Sequence, residues 1–285
     1  MSIKRVGIVG SGIMGSGIAE CAAVNGIEVV LRSRQQASAD AMVAGMEKSL
    51  GRQVERGKMS EEDRAAALGR VRATSDLADL ADCDLVIESV VEDLTVKKHL
   101  FSELDRVCGD GTILATNTST LPVIELAMET GRPDKVCGVH FFNPAPVMSL
   151  VELVRPLTAS DSTMSAVREF AERCGKEPVD VKDQAGFIVN ALLFPYLNNA
   201  VRLLEAGVAS KEDIDTAMKG GCNFPMGPFA LLDLVGLDTS LAILDALYDE
   251  FRDPNYAAVP LLRRMVAAEL LGRKTGKGFF DYHKK

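Results

Sequence analysis

The stretch Gly10-Ser11-Gly12-Ile13-Met14-Gly15 is a G-x-G-x-x-G run. It follows a short β-branched stretch, Val6-Gly7-Ile8-Val9, and opens a helical one, Met14–Asn25, that Gly26 closes; a second strand-like stretch, Glu28–Leu31, comes next. Alone the glycine pattern is weak, but inside one strand–helix–strand unit it constrains the fold strongly. Gly10 permits a tight turn, Gly12 lets a ligand approach the main chain, and Gly15 lets helix and strand pack closely. The free N–H groups and positive dipole end at the helix start suit a pyrophosphate. Gly10, Ser11, Gly12, Ile13, Met14 and Gly15 are therefore expected to hold a dinucleotide.

The first half of the chain continues in the same alternation. Strands are expected over Arg5–Val9, Glu28–Ser33, Val71–Thr74, Asp84–Val90, Thr112–Thr116, Val136–His140, Leu150–Arg155 and Pro178–Val181. Several are apolar at consecutive positions, as in a parallel sheet covered on both faces. Residues of about 37–70 exceed what a simple crossover needs and read as a helical hairpin. Its first helix is Ala37–Arg56; its second is opened by Ser60 with Asp63 three residues on, a capping-box-like start. From Gly186 strand signals vanish and helices are expected over Phe187–Ala206, Lys211–Lys219, Gly227–Tyr248 and Pro260–Leu271. With 285 residues, about two domains of roughly 150 residues are expected. The expected architecture is α/β: a Rossmann-type doubly wound sheet with a helical-hairpin insertion over residues 1–184, plus an all-α C-terminal domain over residues 185–285.

Acidic residues outnumber basic ones by 40 to 32, a formal net charge of −8, so nucleic acid and anionic membranes are not expected partners. The chain opens without a signal-like segment and has no apolar run of about 20 residues. Six cysteines are scattered without a C-x-x-C pair, which argues against a disulfide framework or a zinc site and for free thiols in a reducing, cytoplasmic setting. No metal is expected.

The second strand ends Leu31-Arg32-Ser33-Arg34, where an NAD site usually carries an acid that accepts from the ribose hydroxyls and repels a 2′-phosphate. Ser33 removes the repulsion and Arg34 is placed to hold a 2′-phosphate, unless it is only a solvated surface charge. NADP is therefore favoured over NAD, which Ser33 still accommodates.

Only three histidines are present, and His140 stands at the carboxyl end of an expected strand, the edge where doubly wound sheets bind ligands. Thr116-Asn117-Thr118-Ser119 leaves a neighbouring strand on the same edge, and Glu92 and Lys97 follow another. Glu152 lies in Leu150-Val151-Glu152-Leu153-Val154, where every neighbour is apolar and a carboxylate is costly unless paired. Either it makes a structural hydrogen bond or faces outward, or it orients His140 and stabilises its imidazolium. In the insertion, Arg52 and Arg56 share a helix face and Lys58 follows Gly57. Three such cations are either a solvated face or a seat for phosphates. His99 is expected on the surface and the tail from Tyr282 to Lys285 to fray; Phe194, Met226 and Phe229 are expected in the core or a subunit interface.

End to end, the sequence resembles the short-chain 3-hydroxyacyl-CoA dehydrogenases, on the side of the bacterial enzymes acting on 3-hydroxybutyryl-CoA. The resemblance runs through the Gly10–Gly15 loop, Asp84–Glu88, Asn117-Thr118-Ser119 and His140-Phe141-Phe142-Asn143-Pro144 through Met148. It continues in Gly186–Asn190, Pro225-Met226-Gly227-Pro228 and Gly272–Phe280. It implies a catalytic His140 with partner carboxylate Glu152, a substrate-binding Ser119 and an Asn190 near the substrate. Glu92, Lys97 and Asn117 resemble contacts on the nicotinamide side. It implies NAD(P)-dependent interconversion of (S)-3-hydroxyacyl-CoA and 3-ketoacyl-CoA, as in fatty-acid β-oxidation and butanoate metabolism. Within it, Arg52, Arg56 and Lys58 face the CoA phosphates. Apolar stripes of the helical domain that one chain does not bury lead to the expectation of a homodimer through residues of about 186–285. The family's acid at the end of the second strand is replaced by Ser33. Alternatives are a gulonate-type sugar-acid dehydrogenase, which has no use for Arg52, Arg56 and Lys58, and a non-catalytic nucleotide-binding protein. Lys219-Gly220-Gly221 superficially echoes hydroxyacid dehydrogenases that use a lysine.

Overall fold

The computed structural model describes residues 2–283; of the tail expected to fray, Lys284 and Lys285 lie outside them. The chain divides into two compact units, Met1–Asp183 and Gln184–Lys285.

The first unit holds eight strands: β1 Arg5–Val9, β2 Glu28–Arg32, β3 Val71–Thr74, β4 Leu85–Glu88, β5 Ile113–Thr116, β6 Val136–Phe141, β7 Leu150–Arg155 and β8 Glu177–Lys182. They form one sheet in the order β3-β2-β1-β4-β5-β6-β7-β8. Every neighbouring pair is parallel except β6 and β7. The sheet therefore reverses on either side of β1, the switch point beside which doubly wound sheets bind ligands. The uninterrupted burial of β4, β5 and β6 is the expected signature of strands covered on both faces.

Six helices accompany the sheet: α1 Ile13–Val24, α2 Gln36–Glu55, α3 Glu61–Gly69, α4 Leu94–Val107, α5 Val123–Ala127 and α6 Asp161–Arg173. The insertion is the expected hairpin, α2 and α3. Gly57 turns between them at φ +66°, and the Ser60 hydroxyl accepts from the Asp63 N–H at 3.0 Å. The core runs from Ile8, Ile18 and Leu31 through Met46 and Leu50 of the hairpin to Val139, Leu153 and Phe170.

The second unit is helical: α7 Val189–Glu205, α8 Lys211–Cys222, α9 Pro228–Val235, α10 Leu237–Phe251 and α11 Pro260–Ala267. Its own core gathers Phe194, Leu197, Val201, Phe229, Leu232, Leu244, Leu247 and Leu262; Met226 is half-buried. The single helix expected over Gly227–Tyr248 is two. Gly236 adopts φ +101°, its N–H ends α9 on the Leu232 carbonyl, and its carbonyl accepts the Ser240 N–H that starts α10. The last helix also stops at Ala267, short of Leu271.

Candidate active site

The dinucleotide loop has the geometry its glycines require. Gly10 sits at φ +135°, and a Cβ there would lie 2.2 Å from the Ser89 carbonyl oxygen. A Cβ on Gly15 would lie 2.4 Å from the Gly10 carbonyl oxygen, whereas one on Gly12 would meet nothing within 4 Å. The closed positions are thus those that turn the chain, and the open one is where a ligand approaches. Gly12 caps α1 without a side chain, and no acid occupies the first turn. The cradle therefore fits a dinucleotide pyrophosphate. Ser33 is buried at the end of β2, its N–H bonded to the Thr74 carbonyl at 3.1 Å, and Arg34 is exposed.

At the same sheet edge His140 and Glu152 are directly opposed in the antiparallel β6–β7 pair. Nδ1 of His140 lies 2.7 Å from Glu152 Oε2. Its Nε2 lies 3.1 Å from Ser119 Oγ. The histidine is almost fully buried and the carboxylate entirely so. The Phe142 ring lies 4.6 Å from the imidazole, tilted by 57°. An ionised carboxylate can only accept, so Nδ1 carries the proton and Nε2 presents its lone pair towards Ser119. In this register Glu152 faces inward, and its carboxylate meets the imidazole of His140.

Asn117 ties the neighbouring loop to this strand. Its side-chain oxygen accepts the Phe141 N–H at 2.8 Å and its own N–H bonds the Glu88 carbonyl at 2.8 Å. Glu92 Oε1 accepts the Ser119 N–H at 2.8 Å and the Thr118 hydroxyl. The Lys97 ammonium is buried between Glu88 at 2.6 Å and Glu92 at 3.2 Å. Arg52, Arg56 and Lys58 are all exposed at the end of α2 and the turn after it. Asn190 stands in the first turn of α7, in the second unit. Lys219 is exposed on α8, and His99 is exposed beside Glu103. No group of three or more His, Cys, Asp or Glu among the described residues is arranged to hold a metal. All six cysteines are free thiols, and among the described residues no helix is long and apolar enough to cross a membrane.

Three further side chains were not singled out by the sequence reading. Glu88 is fully buried at the end of β4. It ends an apolar run as Glu152 interrupts one, and the same cost argument would have found it. Lys176 is buried, with its ammonium donating to the carbonyls of Ala145 at 2.6 Å and Met148 at 2.9 Å. Those carbonyls belong to the loop joining the strands of His140 and Glu152. Asp183 accepts the N–H groups of Val123 and Ile124 at 3.0 and 2.7 Å, at the start of α5. Burial pushes its carboxyl above the usual range while those N–H groups oppose the shift. Nothing local in the sequence marks Lys176 or Asp183, because their partners lie 28–31 and 59–60 residues away.

Two family models match the chain: 3-hydroxyacyl-CoA dehydrogenase, NAD binding domain, over residues 5–184, and 3-hydroxyacyl-CoA dehydrogenase, C-terminal domain, over residues 186–282. A 3-hydroxybutyryl-CoA dehydrogenase of Clostridioides difficile is 49% identical over 98% of this chain and 100% of its own. One from Mycobacterium tuberculosis is 50% identical over 99% of both. The crystal structure of (S)-3-hydroxybutyryl-CoA dehydrogenase from Ralstonia eutropha is similar with a TM-score of 0.97 at 46% identity. That match covers 99% of this chain and 100% of that one.

Proposed function

The chain belongs to the 3-hydroxyacyl-CoA dehydrogenase family, and on that premise we propose that it interconverts (S)-3-hydroxybutyryl-CoA and acetoacetyl-CoA, with His140 as the general acid–base group. The observation that carries the reading is the Glu152–His140–Ser119 relay at the ligand-binding edge of the sheet.

In the oxidative direction Nε2 of His140 takes the proton of the C3 hydroxyl; in the reductive direction the imidazolium returns it to the ketone oxygen. Glu152 fixes the ring and balances the positive charge while the proton is held. Ser119, whose hydroxyl already reaches Nε2, holds the same substrate oxygen next to that nitrogen. Asn190 is assigned to the substrate carbonyl, where a donor stabilises negative charge as it moves between oxygens. The dinucleotide supplies the hydride chemistry when bound. Its pyrophosphate is held at Gly10–Gly15; Glu92, Lys97 and Asn117 are assigned to the nicotinamide side.

NADP(H) is the favoured cofactor because no carboxylate stands at position 33 and Arg34 is free in solvent beside it. Arg52, Arg56 and Lys58 are assigned to the CoA phosphates: they are three exposed cations close together on a hairpin of the α/β unit. A homodimer through the helical unit accounts for exposed Leu192, Val208, Leu203, Leu234 and Phe224 there. We assign the protein to the cytoplasm, in keeping with its free thiols.

The test is initial-rate reduction of acetoacetyl-CoA with NADH and NADPH in parallel, followed by nicotinamide absorbance. Turnover is expected, and the ratio of the two kcat/KM values assigns the cofactor. No turnover with acetoacetyl-CoA or longer 3-ketoacyl-CoAs would return the sugar-acid and nucleotide-binding readings to the front.

A further inference from the structure

Glu88 has no exposed surface and touches solvent nowhere, yet it stands in register with Val9 of β1 and Thr116 of β5 at the edge where ligands bind. One oxygen accepts the Val90 N–H and the Lys97 ammonium, both at 2.6 Å. The other accepts the Thr116 hydroxyl at 2.7 Å. Lys97 carries the contact on to Glu92 Oε2 at 3.2 Å. The second oxygen of Glu92 receives the Thr118 hydroxyl, the Ser119 N–H at 2.8 Å and the Thr120 N–H at 3.4 Å. A second route runs from Glu88 through Thr116, whose hydroxyl oxygen accepts the Thr118 N–H at 3.2 Å. Both routes end on the segment that places Ser119 Oγ 3.1 Å from His140 Nε2.

We infer that Glu88 is a positioning residue for this reaction: through Lys97 and Glu92, and through Thr116, it fixes the main chain at Ser119 and so the hydroxyl that faces His140. The inference rests on the assignment of His140 and Ser119 above. Glu92 is 40% exposed, and a half-solvated carboxylate does not hold one geometry unaided. Lys97 is what restrains it, and Glu88 is what restrains Lys97. Three donors on one carboxylate leave Glu88 no freedom to follow a ligand. Displacing Ser119 by a fraction of an ångström is costly to chemistry, because the proton must pass between aligned atoms.

The experiment compares the full chain with Glu88→Gln, Thr116→Val and, as a reference, Ser119→Ala. The first readout is the ¹⁵N resonance of His140 Nε2 without substrate or cofactor. The second is kcat and KM for acetoacetyl-CoA together with Kd for the reduced dinucleotide. In Glu88→Gln the resonance is expected to move at least half-way to its position in Ser119→Ala. Its kcat, read at saturating dinucleotide as set by the measured Kd, falls about tenfold or more. A folded Glu88→Gln with an unmoved resonance and kcat within about twofold of wild type overturns the inference. Where Glu88→Gln fails to fold, Thr116→Val decides: a smaller movement in the same direction with kcat down about threefold supports the inference, and none overturns it. A wild-type chain inactive on 3-ketoacyl-CoAs would overturn the proposed function alone, since the resonance is read without substrate.

Discussion

In the helical unit the buried carboxylates face main chain. Asp215 accepts the N–H groups of Phe229 and Ala230, at 2.8 and 3.1 Å, and so opens α9. Asp233 accepts those of Phe279 and Phe280, both at 2.8 Å, and the Tyr282 hydroxyl at 3.0 Å, and so folds the C-terminal segment onto the unit. In the α/β unit Glu88, Lys97, His140 and Glu152 are as deeply buried, but they face one another. The cost of burying a charge is similar in both places. What differs is the partner. An amide N–H can only hold a carboxylate still, whereas an imidazole can take up and release a proton while its carboxylate partner stays ionised. Buried charge in the helical unit holds main chain; in the α/β unit, where Lys176 does the same, it also brings ionisable side chains into contact with one another.

The sharpest way to break this contrast is His140→Ala. It removes the group that moves the proton and is expected to lower kcat by about 10²–10⁴-fold. Dinucleotide binding at Gly10–Gly15 should stay near the wild-type value, read by quenching of nicotinamide fluorescence. A variant that keeps most of its turnover would show that the buried pair is structural after all and that the two units do not differ in kind.

Asp233→Asn tests the other side. The amide replaces one accepting oxygen with a donor facing Phe279, Phe280 or Tyr282, leaving buried N–H groups against each other. A loss of about 2 kcal/mol or more is expected, and Tm should fall by roughly 4–8 °C. The thermal transition followed by circular dichroism checks this. An unchanged Tm would mean that the C-terminal segment is held by its aromatic packing, Phe229 against Phe279, rather than by the carboxylate.

How much of this contrast is legible in the sequence depends on the distance over which a signal acts. The glycine loop is legible because strand, turn and helix are contiguous and each glycine answers a local demand, as the close approach at Gly10 bears out. The His140–Glu152 pair is legible because twelve residues suffice for a strand to turn back, and an acid in an apolar run asks for a partner. Glu88 carries the same mark but sits at the end of its run, where a polar residue is unremarked. Gly236 carries no local mark within the stretch expected as one helix; only its positive φ reveals that two helices meet there. Lys176 carries no mark at all, since a lysine before a strand is ordinarily solvated and its partners are carbonyls of a remote loop.

Lys176→Met sharpens the comparison at an intermediate size, because Lys176 treats the α/β unit as Asp233 treats the helical one: a buried charge spent on main chain. It holds the loop between β6 and β7, which also packs against α1, where a Cβ on Gly17 would lie 3.1 Å from that of Ala145. Methionine keeps the stem and loses both hydrogen bonds, for an expected cost of about 1–2 kcal/mol in stability. Because that loop joins the strands of His140 and Glu152, kcat is expected to fall several-fold as well, unlike in a purely structural variant. Stability lost without any change in kcat would place Lys176 with Asp233 and leave the loop out of catalysis.

The smallest effect is expected at Glu20, on α1, where the two uses of buried charge meet. Its carboxylate is buried against the insertion hairpin and accepts the Gln53 side-chain amide at 2.8 Å. Burial pushes the carboxyl above the usual range, with Ser49, Gln53 and Arg52 opposing the shift. A carboxyl raised in the folded state binds its proton more tightly there than in the unfolded chain. Its stabilising contribution is therefore complete below the unfolded value and is lost as pH rises through the folded one. Glu20→Gln cannot ionise and still offers Gln53 an oxygen. The wild type should thus lose stability relative to the variant as pH rises above the ordinary carboxylate value of about 4.3, visible as a Tm difference that changes in the variant's favour. A difference that stays constant would mean that the hairpin moves to hydrate the charge. A change of opposite sign would mean that Arg52 compensates it fully, and Arg52 would then be committed to the fold instead of to the phosphates of CoA.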